Sequence, residues 1–360
     1  MLVKPLLISI FLLPIFLLPQ VAAQDKKADY KKKIATIEQN IRNYFYDSTT
    51  DNYKEFNKHT AGENDYCYLW PLCGLIQAAN EAEAMQVAPA KYLKGVVKAI
   101  YHYNDVSAPA AGYASYVKSK ASRFYDDNQW IGIACMDAYE RTKDASYLVE
   151  GRKIYTFMMT GYDTISGGGL YWKEDEKNSK NTCSNGPGII LALQLYKATK
   201  QQKYLDTALL LYNWVNKYLE ADTHVYYDNI HIPSLKIDKA TYTYNTATML
   251  QSNVLLYEIT KQQKYLAQAK LIAAAGFGHF YKSIRWPGNY WFNAVLLRAY
   301  IHLYNFDKER KYIDAFIADA DAIWETEKDA QNIIGKNDKK QLIDQAAMLE
   351  IYCRLLPFVK

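Results

Sequence analysis

Histidine is scarce in this chain, at six residues, and no two are spaced as HxxxH, which removes the usual basis for a zinc site on a helix. Cysteine is as sparse. The five residues Cys67, Cys73, Cys135, Cys183 and Cys353 are odd in number and lack CxxC spacing, so they do not read as a disulfide framework. A chain of 360 residues can bury a core that needs none. One pair such as Cys67–Cys73 stays open, and buried free thiols are the simpler expectation. Charge of one sign is not concentrated anywhere: the formal charge is +5, with basic residues dispersed among acidic ones, which gives no nucleic-acid footprint. Long apolar runs are missing too, apart from Leu6–Leu18. That run contains Pro14, is followed by Pro19, and is too short for a convincing membrane span. With Lys4 before it and Val21-Ala22-Ala23 after it, residues 1–23 read as a secretory signal. No Cys follows the small-residue site, which argues against a lipid anchor. Residues 24–360 are therefore expected to form one exported, soluble domain with no membrane insertion after signal removal.

Tyrosine is abundant by contrast, at 33 residues, beside 7 Trp, while 50% hydrophobic and 22% charged residues are ordinary for a globular protein. Most of these rings are expected in interhelix packing. Others can serve as stacking surfaces and hydroxyl contacts for sugars, and composition does not separate the two.

No Ser/Gly-rich linker or charge block divides the chain after residue 23. An internal repeat runs through it instead. A Tyr-Leu or Tyr-Ile pair follows a short polar turn at Tyr92, Tyr147, Tyr204, Tyr265 and Tyr312, at intervals of 55, 57, 61 and 47 residues. Two copies have nearly identical turns, Tyr196-Lys-Ala-Thr-Lys-Gln-Gln-Lys-Tyr-Leu205 and Tyr257-Glu-Ile-Thr-Lys-Gln-Gln-Lys-Tyr-Leu266. Apolar residues recur at i, i+3, i+4 and i+7 on both sides of each turn, the period of an amphipathic helix. The spacing predicts helices over 29–46, 67–84, 91–104, 127–142, 146–160, 185–200, 203–219, 244–261, 264–280, 288–305, 309–326 and 340–356. Alternate helices differ: those at 67–84, 127–142, 185–200, 244–261 and 288–305 carry small and apolar residues more uniformly, whereas 91–104, 203–219 and 309–326 carry more charge on one face. This alternation predicts an all-α fold, an (α/α)6 toroid of six hairpins with inner and outer helices. An open array would need polar capping repeats, and the final helix is not polar.

The longer segments, which link one hairpin to the next, should gather at one end of the ring, where function usually resides. Just before the fourth helix stands Arg123-Phe-Tyr-Asp-Asp-Asn-Gln-Trp130. One aspartate there is explained as a cap at a helix N-terminus. A second carboxylate, hemmed by Phe124, Tyr125 and Trp130, is not. Asp126 and Asp127 are therefore the candidate catalytic pair, and they point to cleavage of a glycosidic bond. Adjacent Cα atoms lie about 3.8 Å apart, so the two carboxyls diverge by only a few ångströms. Retaining glycosidases hold theirs roughly 5–5.5 Å apart and inverting ones roughly 6.5–9.5 Å apart, so a neighbouring pair fits double displacement better. Repulsion between the two leaves one protonated as acid and the other ionised as nucleophile.

Other inner-helix starts carry polar or aromatic groups that a toroid would aim at the same cavity. They are Trp70 in Tyr68-Leu-Trp-Pro71, Asn185 in Asn181-Thr-Cys-Ser-Asn-Gly-Pro-Gly188, and Tyr244 and Asn245 in Tyr242-Thr-Tyr-Asn-Thr246. Asn185 and Asn245 read equally well as helix caps or as contacts to sugar hydroxyls. Trp172, after three glycines, is the best stacking candidate. Tyr125, Asn128 and Trp130 complete the candidate substrate contacts. No cofactor and no metal is expected.

The segments Tyr68-Leu-Trp-Pro71, Arg123–Trp130, Gly167-Gly-Gly-Leu-Tyr-Trp172, Ser184-Asn-Gly-Pro187 and Tyr242-Thr-Tyr-Asn245 together resemble glycoside hydrolase family 76, collinearly from about residue 30 onward. The Tyr-Asp-Asp-Asn element is the specific one. The resemblance implies an endo-acting α-1,6-mannanase with an (α/α)6 barrel and a retaining mechanism on yeast or fungal mannan. It implies that Asp126 attacks the anomeric carbon, while Asp127 protonates the leaving oxygen and later activates water. Gln129 and Ile131 depart from the small residue and second aromatic common after Asp-Asp-Asn in that family. Related fungal proteins imply one alternative on this scaffold, an α-1,6-mannan transglycosylase. The other alternative is a non-catalytic mannan-binding protein that keeps the cleft, against which the retained carboxylate pair argues. The leader and the Gln24-Asp25 start resemble exported Bacteroidetes proteins, implying a periplasmic, cell-surface or secreted location; a monomer is expected.

Overall fold

A helix that is apolar all round must be covered all round. Six of the twelve α-helices among the described residues meet that condition by standing side by side in a closed ring. The computed structural model describes residues 18–89, 91–117 and 121–359. Most of the expected leader, residues 1–17, lies outside them. The inner ring consists of α2 (Leu69–Ala84), α4 (Tyr125–Thr142), α6 (Thr182–Thr199), α8 (Thr243–Thr260), α10 (Tyr290–Asp307) and α12 (Leu342–Leu355). Each packs against the next, and α12 returns to α2. In α6 and α8 every residue over the first fourteen is buried, as their uniform composition requires.

The outer layer follows the hairpins. Helix α3 (Tyr92–Ile100) covers α2, α5 (Ala145–Met159) covers α4, α7 (Gln202–Tyr218) covers α6, α9 (Gln263–Phe280) covers α8, and α11 (Lys311–Thr326) leans on α10 and α12. The sixth pair departs from the expected hairpins. Helix α1 (Leu18–Asn40) packs on α12, so the chain's first and last helices make it together. Tyr30 meets Tyr352 edge-on at 5.0 Å and donates to Asp321 at 2.9 Å. Two boundaries also shift: α1 ends at Asn40 in a π-helical turn over Ile41–Phe45, and α3 stops at Ile100 before a 3-10 turn over Tyr101–Tyr103.

The repeated polar turn has a mechanical explanation. Lys143, Lys200 and Lys261 end α4, α6 and α8 in the left-handed conformation, with φ of 58–59°. The preceding Thr142, Thr199 and Thr260 each donate to the carbonyl four residues back and accept the N–H two residues on. This is a local side-chain cap that reverses the chain in few residues. The repeat is thus a turn device and carries no chemistry.

The links between hairpins are less purely helical than the sequence predicts. Strands β1 (Tyr46–Asp47) and β2 (Asn52–Tyr53) pair, as do β3 (Asn104–Asp105) and β4 (Gly112–Tyr113). A three-stranded antiparallel sheet joins β5 (Ser179–Asn181), β6 (Tyr227–His231) and β7 (Ile237–Thr241) on the rim above α6 and α8. All five cysteines are buried and free, so the Cys67–Cys73 bridge is not formed. Among the described residues no helix is long and apolar enough to cross a membrane.

At the end of the bore formed by the inner-helix C-termini, charges tie the ring together. Arg298 on α10 pairs with Asp137 on α4 at 2.7 Å and donates to Gln77 on α2 at 3.1 Å. Removing one member of a buried pair leaves the other uncompensated. Arg298→Ala is therefore expected to cost about 3 kcal/mol, read as a lower denaturant midpoint at unchanged m-value. An unchanged midpoint would show that this pair does not help to hold the ring.

Candidate active site

Each inner helix begins after a residue in extended conformation: Tyr68, Phe124, Asn181, Tyr242, Asn289 or Gln341. The shared entry geometry gives equal positions equal directions. The second residues of five of these helices, Trp70, Asp126, Cys183, Tyr244 and Trp291, all line one cleft of about 1260 Å³ at the ring's N-terminal end. That exceeds the roughly 300–1,000 Å³ of ordinary small-molecule pockets. It is room for an oligosaccharide.

The cleft holds both carboxyls of the sequence-predicted pair, Asp126 and Asp127. Each is partly accessible from the cleft while lying deep in the ring. Asp126 Oδ2 accepts the indole N–H of Trp172 at 3.2 Å, while its Oδ1 is buried with no hydrogen-bond partner among the described residues. Burial pushes the Asp126 carboxyl up to about 6, against the Cys183 thiol, the Trp172 N–H and the backbone N–H groups at the start of α4, which favour the charged form. Burial together with the charge of Asp126 pushes Asp127 well above the ordinary carboxylate range. The two environments push the pair apart in proton affinity, since Asp127 also faces the charge of Asp126.

Four of the expected substrate contacts stand on the cleft wall: Trp70, Trp130, Trp172 and Tyr244. Trp130 lies one helical turn below Asp126, edge-on to Trp291 at 5.4 Å, and Trp291 in turn meets Trp70 at 6.1 Å. Tyr244 stacks on Phe292 at 3.9 Å. Trp172 is exposed, as a stacking ring must be.

The other four, Tyr125, Asn128, Asn185 and Asn245, do not line the cleft. Tyr125 precedes Asp126 by one residue, which turns it to the outer side of α4. There it packs on Phe157 at 5.1 Å, its hydroxyl 3.2 Å from Thr160 Oγ1. Asn128 and Asn185 are fully buried pins. Asn128 Oδ1 accepts the Tyr113 N–H at 2.7 Å, and its amide donates to the carbonyls of Tyr113 and Phe124. Asn185 does the same with Leu170 and Asn181, and Gln345 with Ile334 and Gln341. These are the fourth residues of α4, α6 and α12, so the repeated amide fixes rim loops to the ring and does not reach a sugar. Asn245 is buried and donates to Asp228 Oδ1 at 3.3 Å, supporting a carboxylate that does line the cleft. Gln129 and Ile131 are buried too.

The sequence reading missed Asp228, Cys183, Trp291 and Phe292. Trp291 and Phe292 occupy the register of Asp126 and Asp127 on another inner helix, so aligning helix starts would have found them. Asp228 sits in the Val225-Tyr-Tyr-Asp-Asn229 segment of a rim loop, but only the fold of β6 brings it to the cleft. Among the described residues no group of three or more His, Cys, Asp or Glu is placed to hold a metal.

A carboxyl held above its unfolded value of about 3.9 favours the native state below that value, and this contribution is lost as pH rises through the folded value. For Asp126 the window runs from roughly 4 to about 6. Asp126→Asn is therefore expected to be more stable than the parent at pH 8, by up to ~3 kcal/mol, with the gain gone by pH 4. Thermal melts across that range check it; a pH-independent difference would contradict the burial of this carboxyl.

The profile of Glycosyl hydrolase family 76 matches residues 29–285. A Saccharomyces cerevisiae protein named mannan endo-1,6-alpha-mannosidase is 30% identical over 175 residues, covering 44% of this chain and 39% of that protein. The Candida albicans protein of the same name is 31% identical over 176 residues, or 44% and 38% of the two chains. This chain thus spans under half the length of these curated relatives. A family 76 mannosidase from Bacteroides thetaiotaomicron superposes with a TM-score of 0.83 at 26% identity, over 91% of this chain and 98% of that one. An α-1,6-mannanase of Salegentibacter, solved as an inactive variant with two consecutive aspartates replaced by alanine and in complex with α-1,6-mannotetrose, superposes with a TM-score of 0.79 at 20% identity, over 91% and 99%. At that identity the likeness is one of fold.

Proposed function

The chain belongs to Glycosyl hydrolase family 76, and from that membership we propose that it is a retaining endo-α-1,6-mannanase acting on the backbone of yeast or fungal mannan. The observation that carries this reading is the buried carboxyl pair on the floor of a cleft walled by aromatic rings. A sugar ring presents flat C–H faces to Trp and Tyr and hydroxyls to polar groups, and this wall offers both. The names of the fungal and bacterial relatives agree with the substrate, and the Salegentibacter protein inactivated at two consecutive aspartates agrees with the pair.

In this proposal Asp126 is ionised at neutral pH and its carboxylate attacks the anomeric carbon. The bond to the glycosidic oxygen breaks as Asp127 gives that oxygen its proton. A mannosyl ester on Asp126 results, with inverted configuration. Asp127, now ionised, takes a proton from water as the water attacks the same carbon, and the ester breaks. Two inversions leave the α configuration, and both carboxyls return to their starting states. The higher proton affinity of Asp127 assigns it the acid role, since it faces the Asp126 charge in addition to burial. Export belongs to the same proposal: mannan lies outside the cell, and residues 1–23 carry the leader pattern. The relatives come from both fungi and bacteria and do not carry the expectation of a Bacteroidetes source.

Asp126→Asn and Asp127→Asn are each expected to lower release of α-1,6-mannooligosaccharides from linear mannan by at least ~10²-fold, with the circular-dichroism helix signal unchanged. Full activity in either variant would overturn the mechanism. The first-formed sugar should carry the α anomer by proton NMR; a β product would replace double displacement with direct displacement by water. The wild-type kcat/KM should fall on the acid side as Asp126 gains its proton near pH 6, and an acid limb at pH 4 would contradict its assignment.

A further inference from the structure

The two oxygens of Asp126 are not equivalent. Oδ2 accepts the Trp172 indole N–H, whereas Oδ1 is turned into the protein and buried. An oxygen that already accepts a hydrogen bond is held in direction, and the carboxylate with it. The indole is itself firmly placed. Tyr125 donates its N–H to the Trp172 carbonyl at 3.0 Å, the Trp172 N–H reaches the Ser179 carbonyl at 3.2 Å, and the Glu174 N–H reaches the Arg123 carbonyl at 3.1 Å. These bonds zip the residues before the carboxyl pair onto the residues after Trp172. Across the zip, Arg123 meets Glu174 through two bonds of 2.6 Å each. The guanidinium is 4% exposed and also donates to the carbonyls of Ser107, Ala108 and Ala110. Such a bidentate pair fixes orientation as well as distance.

We propose that Trp172 is a positioning residue for the nucleophile, its indole N–H fixing the direction of the Asp126 carboxylate through Oδ2, and that the Arg123–Glu174 pair is the clamp that holds the indole in place. This rests on the reading of Asp126 as nucleophile. It gives Trp172 a role distinct from stacking, since stacking needs the ring and anchoring needs the N–H. The titratable groups around Asp126 are Asp127 on the same helix, Cys73 from α2, Cys183 from α6 and Tyr244 from α8, with Asp228 of β6 acting on the last two. None of them is a cation, so the indole N–H, together with the Cys183 thiol and the backbone N–H groups at the start of α4, works against burial to keep the nucleophile ionised.

Trp172→Phe keeps an aromatic face and deletes the N–H. The acid limb of kcat/KM is expected to move up by about one pH unit and kcat to fall roughly tenfold, with KM within about twofold. Glu174→Gln loosens the clamp, and its acid limb is expected to move in the same direction by less. An acid limb that stays in place in Trp172→Phe would overturn the proposal, whatever happens to KM. A second readout does not depend on turnover: the carbon-13 carboxyl resonance of Asp126, identified by its loss in Asp126→Asn, is titrated in wild type and Trp172→Phe. Its midpoint should rise in the variant, and an unmoved midpoint overturns the anchoring role. A wild-type protein that fails to cleave linear mannan would sink the proposed function, whereas the titration midpoint tests the anchoring contact by itself.

Discussion

Closure of the inner ring is the constraint on which everything else rests. The six inner helices have little solvent face, so each must be covered by two neighbours inside the ring and by an outer layer. Packing side by side leaves no end to the array only if the last helix returns to the first, and α12 does so against α2. Closure then brings six helix N-termini to one end. The partial positive charge of those ends falls off within a turn, and the residues that feel it most are the second and third of each helix. That is where Asp126 and Asp127 stand.

The site is a balance between two opposed tendencies. Depth in the ring disfavours any charge, and it raises both carboxyls. The backbone N–H groups at the start of α4 and the indole of Trp172 work the other way on Asp126 alone. Identical side chains one residue apart thereby come to differ in proton affinity. The difference arises because a helix turns by about 100° per residue, so one carboxyl meets the indole and the other meets mainly its neighbour's charge.

The helices and their inner–outer alternation were legible because burial on all sides and burial on one side leave different patterns in sequence. The strands were not: β1 to β4 are pairs of residues, and β5 to β7 are at most five residues long without clean alternation. The carboxyl pair was visible because adjacency itself was unusual. Asn128 and Asn185 were misleading for a chemical reason. An amide that grips a peptide N–H and C=O presents the same donor and acceptor that would grip a sugar hydroxyl, and only the fold decides which one it meets. Asp228 stayed hidden because its neighbours in space come from elsewhere in the chain.

The pairing of α1 with α12 has a consequence for biosynthesis. A nascent polypeptide that has emerged only as far as α11 has a missing stave between α10 and α2, and its earliest helix waits without a seat. The contact of Tyr30 with Tyr352 of α12 forms only after nearly the whole chain is available. Closure of this barrel is therefore a late event in synthesis.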